Sequence, residues 1–298
     1  MSSVQPFRMN PLYDVLLRGD ARTPVGLYHL QLATAAQLTR LHYSPNSVKL
    51  VQKRLKVLAD HGLIRADAIP TRRGNGHYYY SLAHKGLQYL EQAAYLTHDE
   101  YRVSRVLDRE LLFLEHTLEL NDLLIAAALV GREGTPYSLG SFTHERLLKR
   151  NPYKAKWEHR TFTLISDALL EFHYAGSDGR TFRMPVLLEH DRGTEGRDHF
   201  QRRIRAYIAL LHDPDARLKL FGTTALRAVA FTTFTGEKRC EQMRKWTAHE
   251  LKVTGASDEI GKTFRFANLA KPVTPRAWLD AHWLDPYDDN QPHQLIAA

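Results

Sequence analysis

The chain has 298 residues, 43% hydrophobic and 25% charged, a composition typical of a folded protein with one large or two ordinary domains. Its formal net charge of +8 at pH 7 favours a polyanionic partner. The single cysteine, Cys240, excludes an internal disulfide and a zinc site built on several cysteines. Neither an apolar run long enough to span a bilayer nor an N-terminal signal core is present, so we expect a cytoplasmic protein with no membrane partner.

Residues 25–95 carry the first clear pattern. Thr34 is suited to cap a short helix over AAQLTRLHY, and a break at YSPN follows it. The segment SVKLVQKRLKVLADHGLI then has an apolar stripe at helical spacing with lysines and arginine off the stripe, and Gly62 ends it. Two predicted strands, LIRADAI and HYYYSLA, flank the basic turn TRRGNG, and a further helix comes next.

This order of elements, with RLKVLADHGLIRAD followed by a Gly-rich basic hairpin, resembles a winged helix-turn-helix domain over residues 1–95. The resemblance implies that the helix from Ser47 to His61 enters the major groove and that the hairpin reaches phosphates or a minor groove. The alternatives are a solvated helix face and a winged helix that docks protein. The implied DNA contacts are Ser47, Lys49, Gln52, Lys53, Arg72 and Arg73.

A long helical pattern over residues 99–131 is predicted to link this domain to a second one. The pattern then changes to three strand candidates, GSFTHERLLKR, RTFTLISDALLEFHY and TFRMPVLLEHDRG, followed by a helix, a strand, a helix and a last strand. We expect an antiparallel meander of three strands and a fourth strand that returns through a crossover. The fold class is therefore α+β or α/β with a mixed sheet.

The third strand candidate ends in an unusual way. Glu189 and Asp191 are one residue apart and point to the same side of a strand, where like charges are costly unless a cation joins them. A divalent metal is one such cation. A structural network with nearby arginines such as Arg192, Arg202 or Arg203 is the other.

The element order over residues 96–286 resembles the restriction-endonuclease-like core of the PD-(D/E)XK nucleases, through ISDALLEF and VLLEHDRG. The resemblance implies Mg²⁺ or Mn²⁺ held by Asp167, Glu189 and Glu145, and a metal-activated water that attacks phosphate. Asp191 stands where that superfamily has lysine, and Arg203 is a candidate replacement. Arginine is a poor proton acceptor. The implied catalytic set is Asp167, Glu189, Asp191 and Arg203.

The chain also resembles the replication-relaxation proteins of plasmids and mobile elements, through HTLELNDLL, FTHERLLKR, SDALLEF, LLEHDRGTEGRDHFQRRIRAY, AVAFTT and PRAWLD. This resemblance implies a protein of replication initiation or DNA relaxation, meaning nicking or processing at an origin, with double-stranded DNA as its partner. A homodimer is a further expectation, because winged-helix DNA binders are often dimers. The alternative is a non-catalytic initiator, accessory factor or transcription regulator with a degenerate nuclease-like domain.

Two further residues or segments need an interpretation. Tyr207 follows Arg203 by one helical turn and is either a nucleophile for covalent attack on phosphate or, as its apolar neighbours favour, a core residue. The tail over residues 287–298 is polar, and we expect it to be disordered.

Overall fold

The computed structural model of the protein describes residues 7–8, 22–71, 74–92, 111–150, 152–287 and 291–296. The chain divides into two compact units. The first unit comprises Met1–Val4 and Met9–Ile125, and the second unit comprises Gln5–Arg8 and Ala126–Ala298. The sequence had placed the boundary between residues 95 and 96. Only Leu111–Ala128 of the predicted linking helix lies among the described residues, and its part up to Ile125 belongs to the first unit.

The first unit combines helices with a small antiparallel sheet of order β2-β4-β3. The predicted order of helices and hairpin is confirmed, with one additional short strand, β2. Its helices are α1 (Arg22–Leu30), α2 (Ala35–His42), α3 (Val48–Asp60), α4 (His84–Gln92) and α5 (Leu111–Ala128). Its strands are β2 (Leu32–Thr34), β3 (Ile64–Thr71) and β4 (Gly74–Leu82).

The ends of the first unit's helices follow from local sequence. Thr34 and Gln37 form a capping box at α2, because each side-chain oxygen accepts the other residue's backbone N–H, at 3.2 and 3.1 Å. Gly62, just after α3, has φ of +72°, a left-handed conformation that costs glycine little. Both predicted helix boundaries are confirmed.

One polar side chain of α5 joins that helix to the rest of the first unit. Asn121 is fully buried, and its amide donates to the Leu30 carbonyl at 3.1 Å and the Leu32 carbonyl at 2.6 Å. These two carbonyls lie where α1 ends and β2 begins, so their hydrogen bonds cannot come from a continuous helix. The Asn121 side chain therefore supplies the hydrogen bonds that these two backbone carbonyls need.

The second unit is built on a six-stranded sheet of order β1-β5-β8-β9-β10-β11. Strands β5, β8 and β9 form an antiparallel meander, and β10 and β11 run parallel to β9, which confirms the expected mixed sheet and crossover. The strands of this sheet are β1 (Phe7–Arg8), β5 (Tyr137–His144), β8 (Ala168–Ala175), β9 (Thr181–Asp191), β10 (Ala228–Thr233) and β11 (Phe264–Asn268).

The crossovers of this sheet are helical. The helices are α6 (Glu145–Leu148), α7 (Arg197–His212), α8 (Pro214–Phe221), α9 (Glu237–Thr254), α10 (Asp258–Gly261) and α11 (Arg276–Leu279). Helix α7 lies between β9 and β10 in the chain and shares one apolar core with them, to which it contributes Phe200, Ile204 and Tyr207. This packing fixes which side chains of α7 reach the end of β9.

Two details of the predicted strands are wrong. Glu145 does not lie in a strand but begins the short helix α6, capped by His144. The segment read as one strand around Asp167 is two strands, and an unpredicted two-stranded hairpin precedes the break, formed by β6 (Tyr153–Trp157) and β7 (Arg160–Leu164). The alternation of apolar side chains and lysines in YKAKW is the local signal for β6.

The tail also differs from the expectation of disorder. His293 exchanges backbone hydrogen bonds with Trp283 at 3.0 and 2.7 Å, and Leu295 and Ile296 are buried. Arg227 donates to the Leu295 carbonyl at 2.7 Å. Composition predicted solvation of this segment, but two apolar side chains and three hydrogen bonds hold residues 291–296 in place.

Candidate functional site

The predicted acids Asp167 and Glu189 meet at one end of the β8–β9 pair. Asp167 lies just before β8, and β9 reaches the same end because Ala168 pairs with Leu188. The Asp167 carboxylate accepts the backbone N–H of His190 at 2.7 Å. Asp167, just before β8, and Glu189, on β9, therefore lie at the same end of this strand pair.

An arginine lies against the Glu189 carboxylate. The Glu189 residue is 1% exposed, and its Oε2 accepts from Arg203 Nη1 at 2.7 Å. The second guanidinium nitrogen, Nη2, donates to Glu195 at 2.9 Å. Tyr207, one turn further along α7, donates its hydroxyl to Glu189 Oε1. Both oxygens of Glu189 are therefore engaged by protein donors.

This burial changes the proton affinity of the site. Burial raises the pKa of the Glu189 carboxyl to about 8; Arg203 and the Tyr207 hydrogen bond oppose the rise, and the charge of Asp167 adds to it. Burial and the neighbouring Glu189 also raise the pKa of Tyr207 well above its usual value. Tyr207 therefore stays protonated and acts as a hydrogen-bond donor, which agrees with its interpretation as a core residue.

Asp191, predicted as catalytic, has an arginine of its own. Arg239 of α9 donates from Nε to Oδ1 and from Nη2 to Oδ2, both at 2.7 Å, a bidentate ion pair. Its guanidinium also lies over the Trp246 ring at 5.0 Å and donates to the Glu195 carbonyl at 3.0 Å. Arg239 therefore holds the end of β9 and the loop before α7 together. No sequence signal marked this residue, which comes 48 positions after Asp191.

Glu145, the third predicted metal ligand, is tied to Asp167 by its backbone rather than its carboxylate. Its N–H donates to the Asp167 carbonyl at 2.7 Å, while its carboxylate pairs with Lys149. Among the residues that the structure describes, no group of three or more His, Cys, Asp or Glu is placed to hold a metal ion. The Arg203 guanidinium thus contacts Glu189, one of the three residues to which the resemblance assigned a metal ion.

The predicted DNA-contacting residues of the first unit lie mostly on one open surface. Lys49, Gln52 and Lys53 are exposed on α3, opposite the side whose buried residues are Val51, Leu55 and Leu58. Ser47 precedes the helix, partly buried, with its hydroxyl 2.8 Å from that of Ser44. Arg72 and Arg73 lie outside the described residues.

The fold and the site define a class: a two-unit α+β protein whose second unit has a mixed sheet. Two acids at the end of β9, Glu189 and Asp191, are each bound by an arginine. No helix in the described part of the chain has the length and apolar character needed to cross a membrane. The chain belongs to the replication-relaxation family, whose model matches residues 26–222. The match runs from α1 to the end of α8. A search of the curated proteins and a search of the solved structures gave no match.

Family membership indicates a role in the replication or relaxation of plasmids and mobile elements. The matched region contains the Asp167–Glu189 pair and Arg203 but ends before Arg239. The ion pair between Glu189 and Arg203 therefore lies within the family region, whereas the cation that meets Asp191 comes from outside it.

We expect Arg239→Ala to lower the free energy of unfolding of the second unit by about 3–5 kcal/mol, because it leaves the buried carboxylate of Asp191 without its cation. Urea denaturation followed by tryptophan fluorescence measures this. The control is Arg276→Ala, whose exposed guanidinium pairs with Glu133 and Asp280 at 3.4 Å and should contribute about 0–1 kcal/mol. Equal losses in the two variants would contradict the assigned role of Arg239.

The raised pKa of Glu189 predicts a pH dependence of stability. Its folded-state pKa of about 8 exceeds the unfolded-state value of 4.5, so the folded state binds the proton more tightly. The stabilisation is therefore complete below pH 4.5 and is lost as pH rises towards 8. Melting temperatures across this range should show the decline in the wild type, a flatter profile in Glu189→Gln, and a wild-type profile in the exposed control Glu259→Gln. An identical slope in all three proteins would rule out Glu189 as the titrating group.

Proposed function

We propose that the protein is a duplex-DNA-binding replication protein with a winged helix in its first unit and a nuclease-like core in its second that does not cut DNA in this arrangement. Support for the winged helix comes from the order α1, β2, α2, α3, then the β3–β4 hairpin. Support for α3 as the recognition helix comes from its exposed Lys49, Gln52 and Lys53. Lysines there suit phosphates, and a glutamine suits a base edge.

The nuclease-like core is supported by topology. An antiparallel meander of three strands, a crossover helix and a parallel fourth strand follow one another, as β5-β8-β9, α7 and β10. The two acids that the PD-(D/E)XK resemblance implies lie before the second strand of this run and near the end of its third. The fold and the placement of Asp167 and Glu189 thus fit that superfamily, while Asp191 departs from it at the lysine position.

One observation favours binding over cleavage. Both oxygens of Glu189 are held by Arg203 and Tyr207, so a divalent cation would have to displace two donors from a buried carboxylate whose pKa is already near 8. Arginine cannot serve as a general base at neutral pH. A metal-dependent nickase remains the second candidate, because Asp167 and Glu189 do lie on adjacent strands at one end of the sheet.

DNA binding is tested by fluorescence anisotropy with a labelled duplex at increasing potassium chloride. We expect Lys49→Ala/Lys53→Ala to reduce the slope of log K against log salt by about two, since each phosphate contact contributes about 0.9. The matched control is Lys238→Ala/Lys252→Ala, which removes two exposed lysines of α9. A slope that is unchanged in the α3 variant would contradict the assignment of α3. Size-exclusion chromatography with light scattering, with and without duplex, would show whether a homodimer binds.

Cleavage is tested on supercoiled plasmid with Mg²⁺ or Mn²⁺. We expect binding without nicking, because Arg203 and Tyr207 keep the Glu189 carboxylate from a metal. Nicking that is abolished by chelator and by both Glu189→Gln and Asp167→Asn, but not by the exposed control Glu259→Gln, would overturn the non-cleaving proposal and establish the nickase. Gel electrophoresis of open-circular and supercoiled forms provides the readout.

A further inference from the structure

The unpredicted hairpin β6–β7 has two different faces. Tyr153, Ala155 and Leu164 are buried in the core of the second unit. Alternation along the strands sends Lys154 and Lys156 to the other face, where both are exposed. Thr163 and Thr161 lie opposite these two lysines in the register of the hairpin and are exposed as well.

The hairpin is held firmly against helix α7 and its end. Trp157 stacks on His212, with ring centroids 5.3 Å apart and planes within 2°. The backbone N–H of Lys156 donates to Asp213 at 3.0 Å. The turn at Glu158 and His159 has φ of +46° and +62°, which is the geometry of a tight two-residue hairpin. The exposed face is therefore presented on a fixed support.

Charge is concentrated on this part of the chain. Residues 145–160 contain six Lys or Arg and two Glu, so this segment carries a net charge of +4, against +8 for the whole chain. Among the described residues, no carboxylate lies within 4.0 Å, the distance limit for an ion pair, of Lys154, Lys156 or Arg160. Their charge is therefore available to an external anion.

We propose that the β6–β7 hairpin is a second duplex-DNA contact, which lies along the phosphate backbone and acts in addition to α3. A two-stranded antiparallel ribbon is narrow enough to follow a DNA groove. Lys154 and Lys156 are about 7 Å apart along their strand and point the same way, so they can each meet a phosphate. The facing threonine hydroxyls are donors suited to phosphate oxygens.

The hairpin also leads directly to the acid pair. Only Ile165 and Ser166 separate the end of β7 from Asp167. A duplex held by the lysine face would therefore be bound by the unit that carries Asp167 and Glu189. This contact rests on the proposed duplex binding and extends it to the second unit. Lysines can also serve only to keep exposed strands from pairing with other chains, which predicts no effect on DNA affinity.

The experiment compares three variants of the full chain by anisotropy with a labelled duplex at increasing potassium chloride. The hairpin variant is Lys154→Ala/Lys156→Ala/Arg160→Ala. The matched control is Lys238→Ala/Lys252→Ala/Lys262→Ala, which removes the same charge from exposed positions elsewhere in the second unit. The third is Lys49→Ala/Lys53→Ala on α3. We expect the slope of log K against log salt to fall by about two to three in the hairpin variant and to stay near the wild-type value in the control.

The outcomes separate the two proposals. An unchanged slope in the hairpin variant, or an equal fall in the control, overturns the hairpin contact while leaving the α3 contact to its own variant. A fall in the hairpin variant with no change in the α3 variant supports the hairpin and overturns α3 as the recognition helix. A wild-type chain that binds no duplex at low salt overturns both. Circular dichroism and melting temperature confirm that each variant is folded, as expected for substitutions of exposed side chains.

Discussion

The contact between the buried Glu189 carboxyl group and Arg203 is the interaction on which the second unit depends. It joins the end of β9 to the crossover helix α7, and Tyr207 adds a hydrogen bond from the next turn of that helix. A carboxylate that is 1% exposed is costly unless its oxygens are paired. The apolar core positions α7 so that Arg203 and Tyr207 meet this requirement, and burial beside Glu189 keeps Tyr207 protonated.

Asp191, buried two residues further along the same face of β9, is paired in the same way. Its bidentate partner Arg239 comes from α9, so the end of β9 is fixed by a second helix as well. Each of the two acids, which would otherwise repel the other, thus has a guanidinium group of its own as partner. In our proposal, the choice of arginine as counter-ion directs the function towards binding DNA rather than cutting it.

The two proposed DNA-contacting surfaces share one physical property. On α3 and on the β6–β7 hairpin, one side is buried in an apolar core and the other carries exposed lysines. Because the backbone that carries these lysines is already ordered, binding to phosphate costs only the ordering of their side chains, and its strength depends on salt. Part of the net positive charge of the chain therefore lies on exposed surfaces that a polyanion can contact.

Local sequence was sufficient for much of the fold. The cap at Thr34, the glycine after α3, the meander and the return of β10 could be read from patterns within a few residues of each element. The approach of Asp167 to Glu189 followed from strand order. The β6–β7 hairpin was missed, although YKAKW alternates apolar side chains with lysines as a half-buried strand does. The partner of each buried charge was settled by packing alone: Arg239 reaches Asp191 from 48 residues away because α9 lies beside the sheet, and no spacing in the chain encodes that contact.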